Sequence, residues 1–223
     1  MADRTWWNRE NRPFDMAELV ADGVVHAVGI IGAVVAGSVL LTLGAVHAAP
    51  PEFAALVLYV FSLVVVLSVS LAFNMWPATP TKMVLARFDQ AAIFLFIAGT
   101  YTPFLTFMAG TTAGQLMMAL VWGASLVGIA LKLIIPERFG RLAIGLYLAI
   151  GWSGVLVFQS LASAISPTAL SLIVAGGIVY SLGIIFHLWE RLRFQNALWH
   201  VFVVAGATLH LGAIVDCMII SRI

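Results

Sequence analysis

The sequence predicts an all-α fold, a bundle of seven transmembrane helices, and three observations support this prediction. The chain of 223 residues is 62% hydrophobic and only 9% charged, whereas soluble domains carry about 25% charged residues. It contains seven apolar runs, each close to the ~20 residues that a helix needs to cross a bilayer. Its positive charges fall in alternate breaks between those runs. Because this small number of charges cannot cover a water-facing surface, we predict an integral membrane protein.

The seven runs are separated by short breaks rich in Pro, Gly, Ser and Thr, which favour turns. The predicted spans are 20–45, 54–76, 89–109, 113–134, 141–161, 168–188 and 198–220. None of these breaks is long enough for a further domain. We therefore predict a cytoplasmic N-terminal tail over 1–17, without a signal peptide, and a single seven-helix membrane domain over 18–223.

Lysine and arginine residues predict the orientation of the bundle, because loops rich in them stay in the cytoplasm. Ten of the 11 lie before the first run or at the second, fourth and sixth breaks: Arg4, Arg9, Arg12, Lys82, Arg87, Lys132, Arg138, Arg141, Arg191 and Arg193. Only Arg222 follows the last run. We therefore predict that the N-terminus is cytoplasmic and the C-terminus is outside.

Polar residues converge at the predicted cytoplasmic ends of the helices. The set consists of Glu18, Asp22, His26, Ser70, Asn74, Asp89, Asn196, His200 and His210. Its first three members are four residues apart and share one face of the first helix. Two lie at the end of the second helix, one opens the third helix, and two share a face of the seventh. The last member lies about 15 Å deeper, at 1.5 Å per residue.

Each of these residues also has a purely structural explanation. A residue near a helix end, such as Glu18, can reach the headgroups or cap the helix. A carboxylate that opens a helix, as predicted for Asp89, is stabilised by the helix dipole. His210 lies too deep to reach the headgroups, and a hydrogen bond to a neighbouring helix would explain it. The set as a whole favours a functional site, because ionisable groups inside a membrane are costly.

Five blocks of the sequence resemble, in the same order, those of one known family. They are AELVADGVVHAVG at 17–29, RFDQAAIFLFIAGTYTPF at 87–104, YLAIGW at 147–152, AGGIVYSLGIIF at 175–186 and ALWHVFVVAGATLH at 197–210. On these blocks the chain resembles bacterial members of the hemolysin III family, within the wider progestin and adiponectin receptor family. The resemblance implies seven helices, a place in the bacterial inner membrane and a lipid ligand.

The resemblance also implies a zinc site, and here the chain departs from the family pattern. Family members carry a His four residues after a Ser on the second helix, and two His in an HxxxH pattern on the seventh. An Asp on the third helix holds a zinc-bound water. In this chain the Ser is Ser70 and the Asp is Asp89, but Asn74 and Asn196 replace two of the three histidines. Only His200 remains.

Neutral amide oxygens are poor ligands for zinc. Zinc is ordinarily bound by imidazole, thiolate or carboxylate groups. We therefore expect no metal or other cofactor. In its place we expect a hydrogen-bonded network in which Asn74 and Asn196 bond to each other or to Asp89. The alternative is a zinc site that is completed by His26 or His210.

Three functions follow, from different classes. The first is a non-catalytic membrane protein that binds lipid, senses it or maintains the membrane. The alternative is a zinc-dependent hydrolase of a lipid amide, similar to the alkaline ceramidases, with Asp89, Ser70 and His200 in its active site. The third is a transporter or proton-coupled channel with buried groups such as Asp22 and His210 as a proton relay. Membrane lipid is the expected partner, and no nucleic acid is expected.

Overall fold

The computed structural model describes residues 14–136 and 140–222, and this part of the chain is helical throughout apart from short connections. Its α-helices are α1 Met16–His47, α2 Pro50–Met75, α3 Pro80–Thr106, α4 Thr112–Ile134, α5 Gly140–Gly151, α6 Phe158–Ala164, α7 Pro167–Leu188 and α8 Gln195–Met218. Short 3₁₀ segments follow α5 and α8, at Ser153–Val157 and Ile220–Arg222. Seven spans are long and apolar enough to cross a membrane, the fifth being Leu142–Ala164. The predicted all-α fold with seven membrane helices is confirmed.

Two parts of the sequence-based scheme lie outside the described residues. Most of the predicted N-terminal tail belongs to residues 1–13, together with three of the orienting arginines. Arg138 falls in the second undescribed stretch, 137–139. The orientation of the bundle and the division into a tail and one domain remain predictions.

A capping box defines the beginning of α1. The Glu18 N–H donates to Asp15 Oδ1 at 2.9 Å, and the Asp15 N–H donates to Glu18 Oε2 at 3.0 Å. These bonds satisfy two of the backbone donors that the first turn leaves without a helical partner. The helix therefore begins at Met16, four residues before the predicted 20.

The beginning of α3 is the largest error in the predicted boundaries. The helix begins at Pro80, with the extended residue Thr79 before it, whereas the apolar pattern placed the beginning at residue 89. Proline is well suited to a first turn, where its missing N–H would be unpaired anyway. The prediction counted apolar residues only and missed a polar first part that contains Lys82. The prediction that Asp89 opens the third helix is therefore wrong, since Asp89 lies more than two turns inside α3.

The fifth span is not the continuous helix predicted over 141–161. The segment Ser153–Val157 between α5 and α6 is 3₁₀, and a tyrosine from α3 bonds to the backbone there. Tyr101 Oη donates to the Gly151 carbonyl at 2.7 Å and accepts from the Gly154 N–H at 2.9 Å. An irregular backbone inside a membrane needs such partners, since each backbone N–H or C=O group without a hydrogen bond costs on the order of several kcal/mol in hydrocarbon. The interruption of this helix is thus compatible with its burial in lipid.

Helix α1 packs between α2 and α8, and small residues permit this close approach. A side-chain carbon at Gly29 would lie 2.8 Å from Val204 of α8, and one at Gly37 would lie 2.6 Å from Val60 of α2. Beyond this trio, α2 packs on α3, α3 on α4, and α7 on α8. The inward face of α1 therefore meets side chains from both α2 and α8.

Candidate functional site

The inward face of α1 changes character along its length. It begins with Glu18, Asp22 and His26, which are 3%, 2% and 1% exposed, and continues with small and apolar residues. The polar part of this face meets polar side chains from the neighbouring helices. We call the resulting cluster the polar centre: Asp22, His26, Ser70, Asn74, Asp89, Asn196 and His200.

The Asp22 carboxylate is the group that joins α1 to α8. Its Oδ1 lies 2.6 Å from His200 Nδ1, and its Oδ2 accepts a hydrogen bond from Asn196 Nδ2 at 3.0 Å. An ionised carboxylate only accepts, so the Nδ1 of His200 is the donor. Hydrogen bonds to a charged acceptor are stronger than neutral ones. Asp22 is therefore the strongest link between these two helices in the polar centre.

The two asparagines at the family's zinc-ligand positions bond to each other. Asn196 Nδ2 donates to Asn74 Oδ1 at 2.8 Å, and Asn74 Nδ2 donates to the Ser70 carbonyl at 2.8 Å. The Ser70 hydroxyl lies 3.2 Å from His200 Nε2. Asn74 Nδ2 also donates to the Ser70 hydroxyl at 3.3 Å, so with Asp22 these contacts form a closed ring of amide, carboxylate, imidazole and hydroxyl groups. The carboxylate in this ring is Asp22, whereas the sequence pointed to Asp89.

Asp89 reaches the polar centre from α3. Its side chain interacts with Ser70 and lies within electrostatic range of His200 and Asp22. It is half-buried, as are Asn74 and Asn196, whereas Asp22 and His200 are buried. The polar centre thus has a buried side, formed by Asp22, His26 and His200, and a less buried side, formed by Asn74, Asp89 and Asn196.

The imidazole of His26 has one ring nitrogen in use and one without a partner. Its Nδ1 lies 2.9 Å from the Asp22 carbonyl oxygen, to which it donates. Its Nε2 is buried and has no hydrogen-bond partner among the described residues. The ring lies against His200, with centroids 4.1 Å apart. Because Nδ1 carries the proton that is donated to the carbonyl, the lone pair of Nε2 is free to accept a bond, as in histidines that bind metals.

Three side chains that can act as metal ligands converge on the buried side of the polar centre. Asp22, His26 and His200 each offer a ligand atom, and these atoms all lie within 4.8 Å of one another. The cluster could therefore bind a metal ion. The family's own ligand positions do not fit zinc in this chain, because Asn74 and Asn196 are neutral amides engaged with each other and with Ser70 and Asp22. The sequence-based expectation is that no metal binds, with a zinc site completed by His26 or His210 as the alternative, and this cluster is compatible with the alternative that uses His26.

Two residues predicted for the cluster have other surroundings. Glu18 Oε1 accepts a hydrogen bond at 2.8 Å from the N–H of Phe194, which has a left-handed φ of 59° just before α8. His210 Nδ1 lies 2.9 Å from the Gly206 carbonyl, and its ring is stacked against Tyr180 with centroids 5.4 Å apart. Glu18 thus fixes the approach to α8, and His210 belongs to the packing of α7 on α8.

Sequence reasoning missed a second buried polar contact, between α3 and α4. Lys132 is 1% exposed, and its Nζ donates to Gln90 Oε1 at 2.6 Å. Tyr147 Oη donates to the Gln90 carbonyl at 2.7 Å. The prediction from the sequence uses Lys132 only as an orienting charge. The available signal was its position inside the last turns of an apolar run, where a lysine needs a partner.

Seven membrane helices, four of which form the polar centre, define the class as a multi-helix membrane protein with a buried polar cluster. Comparison with known proteins identifies the family. The sequence profile described as Haemolysin-III related matches residues 14–211, which include the whole polar centre. The chain therefore belongs to the haemolysin III family, and it is a multi-pass integral membrane protein. It is similar to the Hemolysin-3 homolog of Bacillus subtilis (strain 168), with 31% identity over 194 residues, 87% of this chain and 91% of the relative.

Other relatives extend the comparison. Hemolysin-3 of Bacillus cereus is 31% identical over 192 residues, which cover 86% of this chain and 88% of that protein. The Monocyte to macrophage differentiation factor of Homo sapiens is 28% identical over 127 residues, 56% of this chain and 52% of the human protein. These matches confirm the predicted family and its adiponectin-receptor-like relatives. No solved structure matches the chain.

Proposed function

We propose that this chain is a non-catalytic, lipid-binding member of the haemolysin III family, whose polar centre receives the headgroup of a membrane lipid. The observation that carries this proposal is the closed ring of hydrogen bonds through Asn74, Asn196 and Asp22. At two positions where the family would carry zinc ligands, this ring presents amides. Amides offer donors and acceptors of hydrogen bonds rather than the imidazole ligands that zinc prefers.

The exposure of the polar centre supports lipid as the ligand. Asn74 and Asn196 are less buried than Asp22 and His200, so a ligand would approach the centre from their side. The surrounding helix surfaces are apolar, with exposed residues such as Val20 and Val24 on α1. A molecule with a hydrogen-bonding head and acyl chains satisfies both surroundings. The orientation predicted from the positive charges would bring this end of the bundle to the cytoplasmic leaflet, and we propose that the membrane is a bacterial inner membrane.

Lipid retention tests the proposal. The protein is purified in a mild detergent, and bound lipid is measured by native mass spectrometry. We expect about one retained lipid per chain, and a several-fold loss in Asn74→Leu, which keeps the approximate size but removes the amide. Thr42→Val is the matched control, since Thr42 is exposed on α1 and bonds to its own helix. Equal retention by all three proteins would contradict a headgroup site at the polar centre.

A zinc-dependent hydrolase of a lipid amide is the second candidate, and one observation favours it. The three donors Asp22, His26 and His200 lie beside Ser70 and Asp89. A zinc ion would supply Lewis-acid polarisation of a carbonyl, and the chain would supply a carboxylate and a hydroxyl next to it. Zinc-loaded protein would then release fatty acid from a lipid amide, and Asp89→Asn would abolish the release. Absence of product from the loaded protein supports the non-catalytic proposal.

A further inference from the structure

We propose that Asp22, His26 and His200 form a metal site that takes one divalent transition ion, zinc first, in place of the family's own zinc position. Such an ion would join α1 to α8 on the buried side of the polar centre. The less buried side of the polar centre, with Asn74 and Asn196, would remain open to a lipid. The proposal concerns metal binding, and it does not depend on whether the protein binds lipid or hydrolyses it.

The donor set suits zinc. Two imidazoles and one carboxylate are ligands of the type that zinc sites use, and three protein ligands leave one position open. The ligand atoms lie within 4.8 Å of one another, close enough for one ion to be bound by all three. All three residues are buried, which excludes a loose surface site for hard cations. Calcium and magnesium prefer oxygen ligands, so a set with two nitrogens favours a transition metal.

The His26 Nε2 atom is an independent indication of a ligand. It is a buried acceptor on a side chain that is 1% exposed, and it has no hydrogen-bond partner in the described part of the chain. A buried acceptor that is left unpaired costs about 1–3 kcal/mol. The bond from Nδ1 to the Asp22 carbonyl fixes the ring so that Nε2 carries the lone pair. A metal ion would use this lone pair.

The asparagine that replaces a family histidine has a role in such a site. Asn196 Nδ2 donates to Asp22 Oδ2 at 3.0 Å and holds the carboxylate toward His200. Metal-binding carboxylates are usually oriented by hydrogen bonds of this kind. Asn196 therefore removes a histidine ligand from the family's zinc position, and it supplies a partner that orients Asp22 in the proposed site.

Metal titration of the full-length protein in detergent tests the proposal. The protein is stripped with a chelator and titrated with Co²⁺ and with Zn²⁺, and binding is followed by the visible absorption of cobalt and by equilibrium dialysis. We expect one ion per chain. We expect Asn196→Ala to weaken binding by roughly 10–100-fold, the usual effect of losing an orienting partner, and His26→Gln and Asp22→Asn to weaken it further.

His47→Gln is the matched control, since His47 is an exposed histidine at the opposite end of the same helix, and we expect its affinity to equal that of the wild type. X-ray absorption at the zinc edge of the wild type needs no variant and counts imidazole ligands. Two imidazoles are the expected result. The proposal is overturned by absence of binding, by unchanged affinity in folded His26→Gln, or by a single imidazole, which would place the ion on His200 at the family's position. Lipid retention by the metal-stripped protein is measured separately, so failure of one proposal leaves the other testable.

Discussion

At the scale of single residues, Asp22 determines how the polar centre is arranged. The spacing of Glu18, Asp22 and His26 predicts that they share a helix face, and the structure places all three on the buried face of α1. Spacing within one helix does not identify the partners across the bundle. Asp89 was the carboxylate expected beside the asparagines, whereas Asp22 makes the hydrogen bond to Asn196. Contacts between helices depend on side-chain packing, which has no periodic signal in the sequence.

Asn196→Ala tests the hydrogen-bonded ring. The change removes the donor to Asp22 Oδ2 and Asn74 Oδ1. Each acceptor that loses its partner costs about 1–3 kcal/mol, so we expect the thermal unfolding midpoint in detergent to fall. Thr208→Ala is the control, because Thr208 is exposed on the same helix and bonds to its own backbone. Equal midpoints in the two variants would show that the ring contributes nothing to stability.

Restoring the family's histidines tests the explanation of the departure from the family. Asn74 and Asn196 side chains are in contact at 2.8 Å, and Asn196 lies one turn from His200. We therefore expect the double variant Asn74→His and Asn196→His to bind zinc through three imidazoles, as counted by X-ray absorption. A folded double variant without a three-imidazole site would mean that these helices are arranged differently from the zinc-binding pattern that the resemblance implies.

At the scale of helices, two glutamates at equivalent positions allow a direct comparison. Glu18 and Glu52 both accept a hydrogen bond from the residue three positions before them, at 3.0 and 2.8 Å. Glu18 also accepts from the Phe194 N–H, which ties α1 to the beginning of α8. We expect Glu18→Ala to lower the unfolding midpoint more than Glu52→Ala. Chemical-denaturant or thermal unfolding in detergent measures both, and an equal loss would contradict a role of Glu18 beyond capping.

The packing of α7 on α8 leads to a further prediction. A side-chain carbon at Gly176 would overlap the His210 ring, which is bonded through Nδ1 to Gly206 and cannot turn freely. Overpacking of this kind costs typically about 1–3 kcal/mol, so Gly176→Ala should destabilise the protein in thermal unfolding. Gly123→Ala is the control, because nothing lies within 4 Å of a side-chain carbon there. An unchanged midpoint for Gly176→Ala would place His210 elsewhere.

Helix existence was easier to predict from the sequence than helix boundaries. Apolar length identifies each span, and the structure has a helix or helix pair in every predicted run. The boundaries depend on local chemistry that apolar counting ignores. Pro80 in the first turn of α3 and the capping box of Asp15 and Glu18 both extend helices beyond their apolar parts. The break between α5 and α6 depends on Tyr101, a residue distant in sequence.

At the scale of the whole molecule, charge asymmetry predicts an orientation that labelling can check. In a Cys217→Ser background, single cysteines are placed at Ala78, between α2 and α3, and at Gln115, near the beginning of α4; both positions are exposed. We expect a membrane-impermeant maleimide to label Gln115→Cys in intact cells and Ala78→Cys only after permeabilisation, since the loop near Lys82 is predicted to be cytoplasmic. The reverse pattern would invert the bundle.

The position of α1 between α2 and α8 is the feature of the whole molecule that the sequence did not predict. Composition and charge give the number of spans and their alternation. They do not give the order of helices around the bundle, which follows from close contacts such as Gly29 against Val204. This order is what brings Asp22 and His26 to His200, and it therefore determines both the hydrogen-bonded ring and the three-donor cluster.

The metal content of the purified protein tests most directly whether Asp22, His26 and His200 together bind a metal ion. Wild type and His26→Gln are purified side by side, without added metal or chelator, and analysed by mass spectrometry of the elements. We predict about one zinc per chain in the wild type and little in His26→Gln. Equal zinc in both proteins, or none in the wild type even after incubation with zinc, would contradict this account.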